Sequence, residues 1–347
     1  MRFGRLGGPG TLVVDDVPEP AIGPGEVLVR LAACGICGTD LEKLRGHYQP
    51  GGRLGHEPAG VVAAVAPDVV GLSVGDRVAV HHHVPCLACP VCARGDVTYC
   101  PTYGTTNIDP GGFAEAFRVP AIHVARGAVH RLDDRIPFAI ATLLEPAACA
   151  LTALKRVGFR AGESVFVIGL GPVGLLYARL ARALGASWVG GAELSPRRRE
   201  AARAGGAAVV VDPRDGSAAA EAVRDATGGR GVDLAVVATG APAAIALATR
   251  LPRPGGAVNL FGLPDPGIRL DADLQELYLR GIRIVPSYAT TEADIDEVHA
   301  RLRDESVSFD GLVTDTVPLA RLADGFALAA RPADAIKVAV TGPEWPG

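Results

Sequence analysis

The hexapeptide Gly169-Leu170-Gly171-Pro172-Val173-Gly174 stands directly after the apolar run SVFVI and directly before the helical pattern LLYARLARALG. In a strand–turn–helix setting the first glycine permits a tight turn, the second lets a pyrophosphate approach the backbone, and the third lets helix and strand pack closely. The helix N-terminus then offers free N–H groups and the positive end of its dipole to the phosphates. Glu193 ends the next apolar run, 19 residues after Gly174, where a carboxylate can accept hydrogen bonds from both hydroxyls of an adenosine ribose and repel a 2′-phosphate. That favours NAD over NADP. Arg197, Arg198 and Arg199 follow at once; such a run is either a solvated helix face or a partner for a 2′-phosphate, and Arg198 is the one placed to reach the ribose edge.

The pattern around the hexapeptide repeats. From Glu163 onward the runs SVFVIG, WVGGAEL, AAVVVD, VDLAVVAT and GAVNLFG are separated by helical stretches such as SPRRREAARAG. Strand–helix alternation implies a parallel sheet with helices on both faces, an α/β doubly wound domain of Rossmann type over residues 151–287. Thr239, Gly262 and Leu263 fall after two of these strands, at the carboxyl ends where such sheets bind ligands. They are expected to line the nicotinamide half, although close packing would account for the glycine equally. Residues 1–150 differ: short β-rich runs (EVLVRLAAC, GVVAAVA, DRVAVHH) alternate with Gly, Pro and Asp, the pattern of a compact β-rich domain with tight loops. The helical segment EADIDEVHARLRDE and the strand AIKVAVTG fit no further strand–helix unit, and residues 288–347 are expected to return to the first domain and complete it.

Residues 86–100 read CLACPVCARGDVTYC and hold four of the seven cysteines. Disulfides, an iron–sulphur cluster, a redox pair and zinc are the candidates. The opening residues MRFGRLGGPG lack the apolar core of a signal peptide, and the longest apolar stretch, Val165 to Ala178, is too short for a bilayer. The chain therefore reads as cytoplasmic, where thiols stay reduced. Cys86, Cys89, Cys92 and Cys100 supply four soft thiolates, enough to close a tetrahedral, structural zinc site with no position left for water. The iron–sulphur alternative has support from Cys100-Pro101, but bacterial ferredoxins have a last gap of three residues and here it is seven. With 34 basic against 38 acidic residues, no basic surplus invites nucleic acid or a membrane surface.

A second set of donors is dispersed: Cys37 in GICGTD, His56 and Glu57 in LGHEPAG, Glu145 in LLEPAA. A thiolate, an imidazole and one or two carboxylates around zinc leave room for water or substrate, the catalytic arrangement. Singly, each reads equally well as a buried cysteine, a satisfied histidine or a surface glutamate, and spacing alone cannot bring them together. Taken in order, GICGTD, GHE-x-x-G, GDRV at Gly75 to Val78, the four-cysteine loop, GGFAE at Gly111 to Glu115, LEPAA and GLGPVG resemble the zinc-dependent medium-chain alcohol dehydrogenases from end to end. Glu145-Pro146, where other members carry cysteine, makes the chain more similar to the sorbitol, threonine and glucose dehydrogenase branch.

The resemblance implies a GroES-like catalytic domain with one zinc at Cys37 and His56, completed by Glu57 or Glu145, and a second zinc in the cysteine loop. It also implies that Asp40 orients His56 and that Thr39 offers its hydroxyl to the substrate oxygen and passes the proton on. Glu42 stands where related enzymes often carry histidine, and His47 is a candidate for relay or substrate contact. His81, His82 and His83 read as a strand end with side chains on alternate faces. The implied activity is hydride transfer between NAD(P) and a small-molecule secondary alcohol (polyol, sugar, cyclitol or hydroxy amino acid) by a homodimer or homotetramer. Two other readings are a zinc-free quinone or enoyl reductase and a non-catalytic NAD- and zinc-binding protein. The four donors Cys37, His56, Glu57 and Glu145 together count against the first, and cofactor reduction by an alcohol would exclude the second.

Overall fold

The alternating half forms one six-stranded sheet, ordered Val209–Val211, Trp188–Ala192, Ser164–Ile168, Val232–Val237, Pro252–Leu260, Arg283–Pro286, with every neighbour parallel. The structure, a computed structural model, describes residues 1–47, 53–215 and 217–346. Counted along the chain the strand order is 3-2-1-4-5-6, the Rossmann order, and it reverses between Ser164–Ile168 and Val232–Val237. Ser164–Ile168 is buried at all five positions, as a central parallel strand covered on both faces must be. Phe166, Ile168, Val237, Ile245 and Val258 lie in the apolar cluster beneath it. This unit comprises Cys149–Ala289 and Ser306–Leu312.

The other unit comprises Met1–Ala148, Thr290–Glu305 and Val313–Gly347. Its sheet runs Val313–Pro318, Lys337–Thr341, Val27–Gly35, Glu57–Val65, Arg77–Val80, Val129–Arg131, with Ala116–Val119 also paired to Val27–Gly35. Val27–Gly35 is the hub: eight of its nine residues are buried, and it contributes Val27, Val29 and Leu31 to a core shared with Phe113, Phe117 and Phe326. Its register sets Gly35 opposite Glu57 on one side and Ala339 on the other. The returning strand thus sits against the segment that precedes Cys37.

Some elements had no clear signal. Val313–Pro318, sequence VTDTVP, is mostly half-exposed at the sheet edge, so no apolar run marks it. Phe138–Ala141 and Leu144–Val157 are helical inside the segment that otherwise reads as strands. The stretch Phe138–Val157 is long and apolar enough to cross a membrane, but most of it is buried inside the protein, which makes it a core helix.

Candidate metal centre and nucleotide site

Cys37 is the N-cap of the helix Gly38–Arg45, and Asp40, at the third helical position, turns back over the cap. Its Oδ2 accepts the Cys37 N–H at 3.0 Å and its Oδ1 accepts the Gly55 N–H at 3.1 Å, while Oδ1 lies 3.5 Å from His56 Nδ1. A fully buried carboxylate therefore ties together two loops that lie far apart in sequence. Gly55 adopts φ +75°, and a Cβ there would lie 2.6 Å from the Phe113 nitrogen; one on Gly112 would lie 2.4 Å from the Gly55 oxygen. The glycines of the GHE and GGFAE motifs thus exist for one close backbone crossing. The outcome is that donor atoms of Cys37, His56 and Glu57 all lie within 4.8 Å of one another. Thr39 Oγ1 is 3.7 Å from Cys37 Sγ.

The electrostatics ask for a cation. Burial pushes His56 toward neutrality, yet Asp40 and Cys37 outweigh it and hold the imidazole pKa well above its usual value. Burial likewise opposes ionisation of Asp40, but His56 and the Cys37 amide keep its carboxyl below the usual range. Soft sulphur, imidazole and carboxylate at this spacing fit zinc.

Glu57 also has a partner that sequence reading missed. Lys337 Nζ lies 2.7 Å from Oε1 and 2.5 Å from Oε2, with side chains 2% and 0% exposed. Gly35 makes room for the pair: a Cβ there would lie 1.9 Å from Glu57 Oε2 and 2.8 Å from Lys337 Cε. The available signal was a single charge inside the apolar run AIKVAV; a lysine in such a strand is buried only when paired. Burial raises the Glu57 carboxyl despite Lys337, whereas on Lys337 the anions, Glu57 foremost, overcome burial and raise the ammonium.

Glu145, in the first turn of Leu144–Val157, falls with His81 and His82, whose donor atoms and its own lie within 4.8 Å of one another. The two groups adjoin, since the His56 and His82 rings are 5.0 Å apart. The histidine run corrects one expectation. The strand Arg77–Val80 stops before His81, and beyond it the period of two is lost: the His82 and His83 rings pack 4.0 Å apart instead of on opposite faces. His47 lies on the surface, 3.0 Å from Glu42 Oε2, and Arg45 joins the same carboxylate.

The cysteine loop is closed and regular. Sγ–Sγ separations are 3.6 Å for Cys89–Cys92, 3.8 Å for Cys89–Cys100 and 3.5 Å for Cys86–Cys100. A tetrahedron with Zn–S near 2.3 Å has edges of about 3.8 Å. The Cys86 N–H points at Cys100 Sγ and the Ala88 N–H at Cys86 Sγ, each at 3.4 Å, as thiolates require. All seven cysteines are free thiols.

In the second unit the hexapeptide takes the expected shape. Gly169 adopts φ +89°, and a Cβ on Gly174 would lie 2.0 Å from the Gly169 oxygen. Gly171 caps the helix Pro172–Ala183 with Pro172 and Val173 in its first turn. Glu193 is anchored to this turn: Oε2 accepts the Leu170 N–H at 2.8 Å and Oε1 the Ser195 N–H at 2.9 Å. Each oxygen keeps a lone pair for a ribose hydroxyl. Arg199 is committed to Asp212 and to the Glu193 and Leu194 carbonyls, while Arg198 lies beside the turn, its Nη1 3.6 Å from where a Gly171 Cβ would be. A Cβ on Gly262 would lie 2.4 Å from the Thr239 nitrogen, and one on Gly240 would lie 2.5 Å from the Leu263 oxygen. Close backbone packing of two loops accounts for both glycines; Leu263 itself is 69% exposed.

Comparison with known proteins agrees with this geometry. Residues 23–129 match the alcohol dehydrogenase GroES-like domain, and residues 172–304 match the zinc-binding dehydrogenase family. The chain is 39% identical over 267 residues to L-threonine 3-dehydrogenase of Pyrococcus abyssi, covering 75% of this chain and 74% of the other. It is 36% identical to sorbitol dehydrogenase of Bacillus subtilis, over 72% of each. An alcohol dehydrogenase from Thermus sp. ATN1 superposes with a TM-score of 0.88 at 29% identity, over 99% of this chain and 100% of that one.

Proposed function

This chain belongs to the zinc-dependent medium-chain alcohol dehydrogenases, and on that premise we propose that it oxidises the secondary alcohol of a hydrophilic substrate (a polyol, sugar, cyclitol or hydroxy amino acid) with NAD as acceptor. As a member of the family it is an NAD(P)-linked oxidoreductase. The observation that carries the finer reading is the convergence of Cys37 with the adjacent His56 and Glu57 within 4.8 Å, from two segments no local pattern links.

Cys37 and His56, with Glu57 or Glu145, would hold the catalytic zinc, and Cys86, Cys89, Cys92 and Cys100 the structural one. Bound there, zinc supplies Lewis acidity toward the substrate hydroxyl, and the nicotinamide supplies the hydride acceptor. Asp40, its Oδ1 3.5 Å from His56 Nδ1, would orient the ring so that Nε2 could take the ion. Thr39, beside Cys37, accepts the substrate's proton at its oxygen while donating its own onward, and stays neutral. Lys337 holds Glu57 by its charge. Gly169, Gly171 and Gly174 admit the pyrophosphate, Pro172 and Val173 begin the helix that faces it, and Glu193 takes the ribose hydroxyls, with Arg198 at their edge.

The working molecule is a homodimer or homotetramer. Leu263 and, in the helix Leu274–Arg280, Leu274, Tyr278 and Leu279 of the second unit are 69–84% exposed, apolar surface that a second copy would cover. Seven free thiols suit a cytoplasmic location.

The test is zinc analysis together with a panel of polyols, sugars, cyclitols and threonine, each with NAD and NADP, followed at the nicotinamide absorption band. Two zinc ions per chain and reduction of NAD by at least one of these alcohols are expected. Cofactor binding without reduction by any of them would overturn the proposal in favour of a non-catalytic binding protein.

A further inference from the structure

Behind the metal set, the first unit holds a cavity of about 10 Å³ lined by Glu57, His81, His130, Thr142, Glu145 and apolar neighbours. That is room for one water molecule. His130, on the strand Val129–Arg131, is 4% exposed, and its Nε2 is buried with no hydrogen-bond partner among the described residues. Its other nitrogen is committed: Nδ1 lies 2.7 Å from Asp296 Oδ1. A carboxylate only accepts, so Nδ1 carries the hydrogen and the ring is locked with Nε2 turned inward. An orphaned buried nitrogen is costly, and a polar cavity of this size beside it offers the remedy. Thr142 cannot be that remedy, since its hydroxyl already donates to the Ala139 carbonyl at 2.7 Å.

We propose that one buried water, held between His130 Nε2 and the Glu145 carboxylate, links the Asp296–His130 pair to the metal set and makes His130 a positioning residue for it. The inference rests on the zinc reading above. Water suits either state of the ring: it donates to a bare Nε2 or accepts from an Nε2–H, and in both cases it has a hydrogen left for the carboxylate. The pair spans the wall of the unit, with the His130 side chain 2% and the Asp296 side chain 68% exposed. A solvent-held carboxylate thereby fixes an interior ring, and the ring fixes a carboxylate among the metal donors. Outer partners of this kind typically support metal affinity by about 10–100-fold.

The test is zinc affinity by chelator competition, read at the weaker of the two sites, with a crystal structure of the zinc-loaded protein. A water within hydrogen-bonding distance of His130 Nε2 and Glu145 is expected. His130→Leu should weaken the weaker site about 10–100-fold, and His130→Gln, whose amide oxygen can accept from the same water, should stay within about threefold of wild type. Asp296→Ala alters an exposed side chain, leaves the cavity lining intact, and is expected to weaken the same site by about tenfold; it serves if the leucine variant misfolds. A dry cavity, or wild-type affinity in Asp296→Ala and His130→Leu, would overturn the inference. Wild-type protein that takes up zinc only in the cysteine loop would instead refute the zinc reading, and this inference with it.

Discussion

Lys337→Met tests the buried pair at the metal set. With side chains 2% and 0% exposed, removing the ammonium leaves Glu57 as an uncompensated interior charge, which costs about 3–5 kcal/mol. For a unit of this size that corresponds to a melting shift of about 6–20 °C in metal-free protein. The pH dependence follows from the two directions of shift. Glu57 is already raised above its usual 4.5 by burial, and without Lys337 burial acts with less opposition, so its folded value rises further. A raised folded pKa favours the folded state below the unfolded value, and that benefit is lost as pH rises through the folded value. The variant's deficit therefore shrinks as pH falls toward 4.5 and vanishes below it, where Glu57 becomes neutral in both states. At the alkaline end, Lys337 is raised above 10.5, so the wild type keeps its advantage below that value and loses it as pH climbs through the folded pKa. The deficit should be largest between these limits. Thermal unfolding of metal-free protein across pH gives the curve, and Lys337→Met/Glu57→Leu should recover most of the loss because neither charge remains buried. A single-variant cost below about 1 kcal/mol, or a double variant no better than the single, would refute the reasoning.

Cys37→Ser should lose one zinc and all turnover while still binding NAD, as read by metal analysis, nicotinamide absorbance and calorimetric titration; retained turnover would remove Cys37 from the catalytic set. Cys100→Ser opens the closed loop and should lower the melting temperature and the zinc content together; normal values of both would reject a structural zinc there. Glu193→Ala removes two charge-assisted bonds to the ribose, together about 3–6 kcal/mol, so NAD binding should weaken by about 150-fold or more, with NADP affected much less. Equal losses for the two cofactors would show that Glu193 does no more than hold the Leu170 and Ser195 amides.

Local chemistry was readable in the chain and convergence was not. The Gly169–Gly174 turn and the four-cysteine loop declare themselves because all their partners lie within a few residues: Gly174 needs its hydrogen because of Gly169, and Cys86 meets Cys100 inside one loop. Cys37, His56 and Glu57 meet only because Asp40 bonds both Cys37 and Gly55 and because Gly55 and Gly112 cross. Nothing in their spacing reports that, and only resemblance brought them together beforehand. Lys337 and His130 were passed over for the same reason. Lys337 stands in an apolar strand and His130 in the short strand VHR, and the explanation of each, Glu57 or Asp296, lies 280 or 166 residues away. The histidine run misled in a different way: a period of two holds only while the backbone is pleated, and the strand ends at Val80.

Zinc K-edge X-ray absorption on the fully loaded protein tests the central claim most directly. The account predicts two ions sharing five sulphur ligands at about 2.3 Å, four from the cysteine loop and one from Cys37, with the remaining ligands nitrogen or oxygen at about 2.0–2.2 Å. A single ion bound by four sulphurs, with no nitrogen or oxygen neighbour, would contradict it.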